Sequence, residues 1–85
     1  MELEKLLKNV KPLFIEGNTE VDITGVNIDS RRIKPGHLFV AIKGTQVDGH
    51  TFIEKAEGLG AVAVLCEEIP EVKKDGVTYI CVKST

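Results

Sequence analysis

The sequence predicts a small α/β domain: a mixed, largely parallel sheet with a βαβ unit and flanking helices. Three observations lead there. Two apolar runs, Leu38-Phe39-Val40-Ala41-Ile42 and Ala61-Val62-Ala63-Val64-Leu65-Cys66, are continuous rather than alternating. Such runs suit strands covered on both faces, as parallel strands are. Between them Phe52, Ile53, Ala56 and Leu59 recur at helical spacing, which completes one strand–helix–strand unit. Glycines and prolines punctuate the chain where these elements must stop.

Taken in order, Leu3, Leu6, Leu7 and Val10 lie at i, i+3, i+4, i+7, one apolar face of a short helix. Pro12 ends it, because the residue before a proline avoids the helical region. Leu13-Phe14-Ile15 reads as a short strand and Glu16-Gly17-Asn18-Thr19 as a turn. From Val21 to Ile28 the pattern is strand-like but changes phase. Val21 and Ile23 share one parity, Val26 and Ile28 the other. Gly25 sits between them, so a bulge or bend there, with positive φ if a bulge needs it, would restore a common face. Lys34-Pro35-Gly36 has the order of a tight turn, and Leu38–Ile42 is the next strand.

A polar loop from Gly44 to Gly49 leads into a helix of about three turns. Its expected buried face is Phe52, Ile53, Ala56 and Leu59. Thr51 with Glu54 matches a capping box, with Asp48 as a competing cap. Gly58 and Gly60 offer a left-handed stop. Ala61–Cys66 is a strand, Glu67–Gly76 a charged connection, and Val77–Val82 the last strand. The chain stops at Lys83-Ser84-Thr85 without a capping helix, as expected of one domain cut from a longer polypeptide.

Composition narrows the function classes. With 85 residues the chain has room for one domain, residues 1–85. It has 42% hydrophobic and 28% charged residues, which suits a globular chain rather than a disordered one. Net charge is −2, with both signs dispersed, so no basic block points to nucleic acid or an anionic membrane. The longest apolar run is far too short to span a bilayer. Met1-Glu2-Leu3-Glu4-Lys5 lacks the basic start of a signal peptide, so the chain reads as cytoplasmic. Cys66 and Cys81 each sit in an apolar run and form no CxxC; His37 and His50 complete no metal-ligand spacing. Two inert buried thiols are expected.

Ligands of open α/β sheets bind beyond the carboxyl ends of the strands. Two polar loops occupy such places: Asp29-Ser30-Arg31-Arg32, and Gly44-Thr45-Gln46-Val47-Asp48-Gly49. Ser30 can donate to a phosphate, Arg31 or Arg32 can supply charge, and the second loop opens a helix whose free N–H groups favour an anion. These features suggest a small anionic ligand between the loops. The bland alternative is a pair of solvated turns. No G-x-x-x-x-G-K-[ST] phosphate cradle occurs, and no carboxylate pair or histidine forms a catalytic constellation. His50, at a helix start, reads as a residue of the cap region.

The stretch from Ile28 through Ile53, IDSRRIKPGHLFVAIKGTQVDGHTFI, and the following Ala56, Gly60-Ala61 and Ala63-Val64-Leu65 resemble the N-terminal signature of the Mur ligases. The resemblance covers nearly the whole chain. It is strongest to the E type, which joins a third amino acid to UDP-N-acetylmuramoyl-L-alanyl-D-glutamate. It implies a Mur-ligase-like N-terminal fold that binds the UDP-sugar, with the ATP-binding central domain and the C-terminal domain absent from this chain. Carried over residue by residue, Ile28 and Ser30 match positions that contact the UDP-sugar. Thr45, Gln46 and Val47 match the loop that holds the uracil. His37 and Thr51 stand where the family often has acidic residues, away from those positions. The implied partners are the UDP-N-acetylmuramoyl dipeptide and the remaining domains of the same polypeptide, with no nucleic acid and no membrane insertion. No catalytic, cofactor or metal residue carries over. ATP and magnesium belong to the parent enzyme, where ATP would form an acyl phosphate on the D-glutamyl side chain for attack by the amine of a diamino acid. Two other readings compete: the F type, which adds D-Ala-D-Ala, and a free-standing nucleotide-sugar-binding or interaction module.

Overall fold

The computed structural model describes residues 1–8, 10–42, 49–70 and 73–83. Five strands form one sheet: β1 (Phe14–Glu16), β2 (Gly25–Asn27), β3 (His37–Val40), β4 (Ala63–Cys66) and β5 (Thr78–Cys81), in the order β1-β5-β4-β3-β2. Strands β2, β3, β4 and β5 are parallel neighbours, and β1 joins β5 antiparallel. The sheet is therefore mixed and mostly parallel, as expected. Helix α1 (Leu3–Leu6) lies on one face and α2 (Ile53–Gly58) on the other.

This two-sided cover explains the continuous apolar runs. In β3, β4 and β5 neighbouring residues serve different cores. Phe39, Val64, Cys66 and Tyr79 pack with Ile53 and Ala56 of α2. Leu38, Ala63 and Ile80 pack with Leu3 and Ile23, backed by Leu6, Leu7 and Val10. The opening helix ends at Leu6, short of Val10 and of Pro12, which was expected to end it, yet Leu3, Leu6, Leu7 and Val10 all pack on the same core. Phe39, Val64 and Ile80 are essentially inaccessible to solvent, and burial of each such side chain stabilises the fold by about 1.5–3 kcal/mol.

Cys66 and Cys81 are register partners on β4 and β5, both buried and free. Burial, and secondarily the neighbouring Cys81, pushes the Cys66 thiol up to about 12. A thiol held protonated is a poor nucleophile.

Several local expectations need correction. Gly25 makes no bulge: β2 registers with β3 residue for residue, and Gly25 is not among the positive-φ glycines. The chain keeps one phase through this stretch: Ile23 is buried, while Asp22, Thr24, Val26 and Ile28 are all exposed. Val26 then registers with Leu38 but stays exposed, because β2 is the sheet edge. Its neighbour Gly25 has a packing role, since a Cβ there would approach Nε2 of His37 to 2.7 Å.

The helix before β4 is shorter than three turns of α-helix. A 3-10 turn (Gly49–Phe52) precedes α2. Tighter winding in that turn alters the phase of the side chains, so Phe52 is exposed while Ile53 and Ala56 are buried. Leu59 is also exposed, and Glu57 takes the inward place. The N-cap of α2 is Phe52, without a side-chain cap, so Thr51 and Glu54 do not form the expected box. The expected stop does hold at Gly60, whose φ is +109° and where a Cβ would lie 2.7 Å from the Cα of Pro35.

Candidate functional site

The loop after β2 is held by successive side-chain turns. Asn27 Oδ1 accepts from the backbone N–H of Asp29 (3.0 Å). Asp29 Oδ1 accepts in turn from the backbone N–H of Arg31 (2.9 Å), capping the 3-10 turn Ser30–Arg32. Asp and Asn favour such local bonds over a continuing strand. Buried Ile33 anchors the far end of the turn.

The Arg31 guanidinium grips the Asp29 carboxylate in a bidentate pair, at 3.1 Å from Nε and 3.0 Å from Nη2. That side-chain bond, followed by the Arg31 backbone N–H, holds the Asp29 carboxyl down at about 2. The sequence offered Arg31 as a free cation; the structure shows its charge already engaged.

Ser30 is different. It is 6% exposed, yet its hydroxyl has no hydrogen-bond partner among the described residues. No buried polar side-chain atom is left unsatisfied there, so the hydroxyl oxygen keeps contact with solvent. That contact is in a cleft of about 540 Å³, lined by Ile28, Asp29, Ser30, Arg31, Ile42, Gly49, Phe52 and Lys55. The cleft lies beyond the carboxyl ends of β2 and β3, where ligands of such sheets bind.

Ile28 and Ser30 are thus brought together. Thr45, Gln46 and Val47 lie outside the described residues, as does the rest of 43–48. The two ends of their loop are described, and both line the cleft. The Gly49 N–H donates to the Ile42 carbonyl at 2.7 Å. A Cβ on Gly49 would lie 2.7 Å from the Ile42 nitrogen and 2.8 Å from its oxygen, so only glycine lets the two ends approach this closely.

Sequence reasoning missed Ile42, Phe52 and Lys55 as lining residues. Phe52 was assigned to the buried face of the helix, and nothing in the pattern distinguished Lys55 from other exposed lysines. The 3–residue spacing of Phe52 and Lys55 along one helix flank was the available clue. Arg32 is exposed and does not line the cleft. His50 sits in the 3-10 turn and accepts at Nε2 from the backbone N–H of Glu67 (2.9 Å) and of Glu68 (3.3 Å), tying the turn to the exit of β4. His37 Nδ1 accepts from the Lys34 N–H at 3.3 Å. Both histidines serve the framework.

A larger cleft of about 830 Å³ flanks the other side of α2, lined by Glu54, Glu57, Pro70, Lys73 and Lys74 among others. Its polar groups are largely engaged within the protein. Tyr79 donates its hydroxyl to the Glu57 carboxylate, Lys74 Nζ donates to the Glu57 carbonyl, and Lys73 pairs with Glu16 at 2.8 Å. Among the described residues, no group of three or more His, Cys, Asp or Glu could hold a metal ion, and no helix is long and apolar enough to cross a membrane.

The family model described as "Mur ligase family, catalytic domain" matches residues 22–85. The chain belongs to the Mur ligase family. Similar Mur ligases are named UDP-N-acetylmuramoyl-L-alanyl-D-glutamate–2,6-diaminopimelate ligases. That of Bacteroides fragilis is 51% identical over 94% of this chain and 16% of its own length. That of Phocaeicola vulgatus is 52% identical over 100% of this chain and 18% of its own. The chain therefore spans under a fifth of these relatives. A solved Mur ligase, MurF from Acinetobacter baumannii, has the same fold, with a TM-score of 0.83 at 19% identity over 98% of this chain and 18% of that one. MurF from Thermotoga maritima, solved with ADP, matches 75% of this chain and 14% of that one, with a TM-score of 0.61 at 33% identity. Identity to these diaminopimelate ligases, 51–52%, exceeds that to the two MurF structures, 19% and 33%.

Proposed function

We propose that this chain is the N-terminal, nucleotide-anchoring domain of an ATP-dependent Mur ligase. The parent enzyme would add 2,6-diaminopimelate, as the third amino acid, to UDP-N-acetylmuramoyl-L-alanyl-D-glutamate. The observation that carries the reading is the cleft beyond β2 and β3. There an unpartnered Ser30 hydroxyl and the apolar side chains of Ile28, Ile42 and Phe52 surround room for a nucleotide. The third-residue specificity rests on the relatives' names and the 51–52% identity to them. The anchor would hold the UDP end of a long substrate, so that binding energy far from the reacting carboxylate positions it. ATP and magnesium would be held by other domains of the polypeptide, and this chain alone would be inactive.

Titration of the 85-residue chain with UDP, followed by NMR amide shifts, tests the assignment. Shifts are expected at residues 28–31, 42 and 49, with none from ATP at equal concentration beyond those its own phosphates produce at the same cleft. Shifts confined to the larger cleft would overturn it. Ser30→Ala should weaken UDP binding by about 1.5 kcal/mol or more, the range for a hydrogen bond to a charged group. Its melting temperature should hold, because the hydroxyl bonds nothing among the described residues. In a full-length ligase the same change should raise the Michaelis constant for the UDP substrate and leave that for ATP alone. A lower melting temperature with unaltered binding would make Ser30 a turn residue only.

A further inference from the structure

We propose that Lys55 is the anion-recognising group of the smaller cleft and gives it a preference for a nucleoside diphosphate over the uncharged nucleoside. The inference rests on reading that cleft as the nucleotide anchor, and goes further by naming the cation.

Three charged residues line the cleft: Asp29, Arg31 and Lys55. The bidentate bond between Asp29 and Arg31 cancels the first two against each other. Lys55 makes no ion pair and no hydrogen bond among the described residues. The neighbouring acids of α2 do not neutralise it there. Glu54 and Glu57 line the larger cleft on the other flank, and the Glu57 carboxylate receives the Tyr79 hydroxyl. The net charge of the smaller cleft's described lining is therefore that of one lysine.

Its position suits a phosphate. Helix α2 packs against the Ser30–Arg32 turn, so Lys55 and Ser30, whose side chains have no partner among the described residues, border one space. Both are donors, and a diphosphate offers only acceptors at neutral pH. Ile28, Ile42 and Phe52 supply apolar walls that leave space for a flat base and reduce the water available to screen the charge. A lysine on an exposed helix flank acts as a point charge rather than a geometric fork, so charge, more than exact placement, should decide its contribution.

The test compares UDP and uridine binding to the 85-residue chain and to Lys55→Gln, by NMR titration at low and high salt. UDP binding should weaken about two- to fivefold in Lys55→Gln, the range for an exposed ion pair. Uridine binding should be unchanged. The salt dependence of UDP binding in the unaltered protein should largely vanish in the variant, and Lys55→Arg should retain it. Equal UDP affinity in Lys55→Gln would overturn the proposal, and so would an equal loss for uridine, which would show a packing role. Should UDP produce no shifts at Ile28–Arg31 even in the unaltered protein, the nucleotide reading itself falls, and the role of Lys55 with it.

Discussion

Helix α2 divides two clefts, and the larger is the less suited to a ligand. On one flank the space is about 830 Å³, but its buried carboxylate holds a tyrosine hydroxyl and its lysines hold a carbonyl and a glutamate. On the other flank the space is about 540 Å³. Its serine hydroxyl and its lysine have no partner among the described residues, and three large apolar side chains remain exposed. Polar groups satisfied within the protein stabilise the fold and give a ligand little to gain. Donors left unsatisfied beside apolar walls are what a ligand can complete. Pairing, more than volume, separates the two.

The largest expected effect lies in the larger cleft. Tyr79→Phe would remove the hydroxyl that serves the buried Glu57 carboxylate. Leaving a charged group short of a donor should cost about 2–3 kcal/mol, or a fall in melting temperature of roughly 10–20 °C for a domain of this size. UDP shifts should persist below the new transition. Lost binding with unaltered stability would reverse the assignment of the two clefts.

Next comes Gly49→Ala, at the base of the loop that borders the smaller cleft. The added methyl must displace the Ile42 backbone, at a cost of about 1–3 kcal/mol. Here stability and UDP binding should fall together, because the same backbone contact closes the loop and lines the site. Calorimetry and NMR titration of the variant check both, and a change in only one of them would separate the loop from the cleft.

The smallest effect concerns Asp29. Its carboxyl is held at about 2 against an ordinary 3.8, so the folded state favours the ionised form. The contribution to stability is therefore present above pH 3.8 and is lost as pH falls through about 2. The pair is exposed, so the contribution is small. Asp29→Asn should lower the melting temperature slightly at pH 7, with the difference shrinking as pH falls toward about 2. NMR titration of the Asp29 carboxyl carbon should show its midpoint well below that of an ordinary aspartate.

The strands show where local pattern sufficed. Leu38–Ile42 and Ala61–Cys66 are apolar on both parities, and only a strand between two packed layers needs that. The βαβ unit, the stop at Gly60, the buried thiols and the polar loop at Asp29–Arg32 were legible for similar reasons, since each depends on residues near one another in the chain. The family was legible too, through the resemblance carried by the Ile28–Ile53 stretch and its glycines.

Local pattern misplaced Phe52, which a 3-10 turn shifts outward, and it placed at Gly25 a bulge that does not form, because Val26 and Ile28 stay on the exposed side. It also offered Arg31 or Arg32 to supply charge, although Asp29 neutralises Arg31 and Arg32 does not line the cleft. The sequence by itself determined the α/β layering, the family and the loop that bears Ser30. Only the tertiary structure decided which polar groups were already spent. Tyr79 meets Glu57 across 22 residues of chain, and His50 meets Glu67 across 17. Such partnerships depend on how the sheet and α2 pack, and no periodicity of side chains records them. What remains unpaired, Ser30 and Lys55 in the smaller cleft, is likewise known only after every other donor and acceptor has found its place.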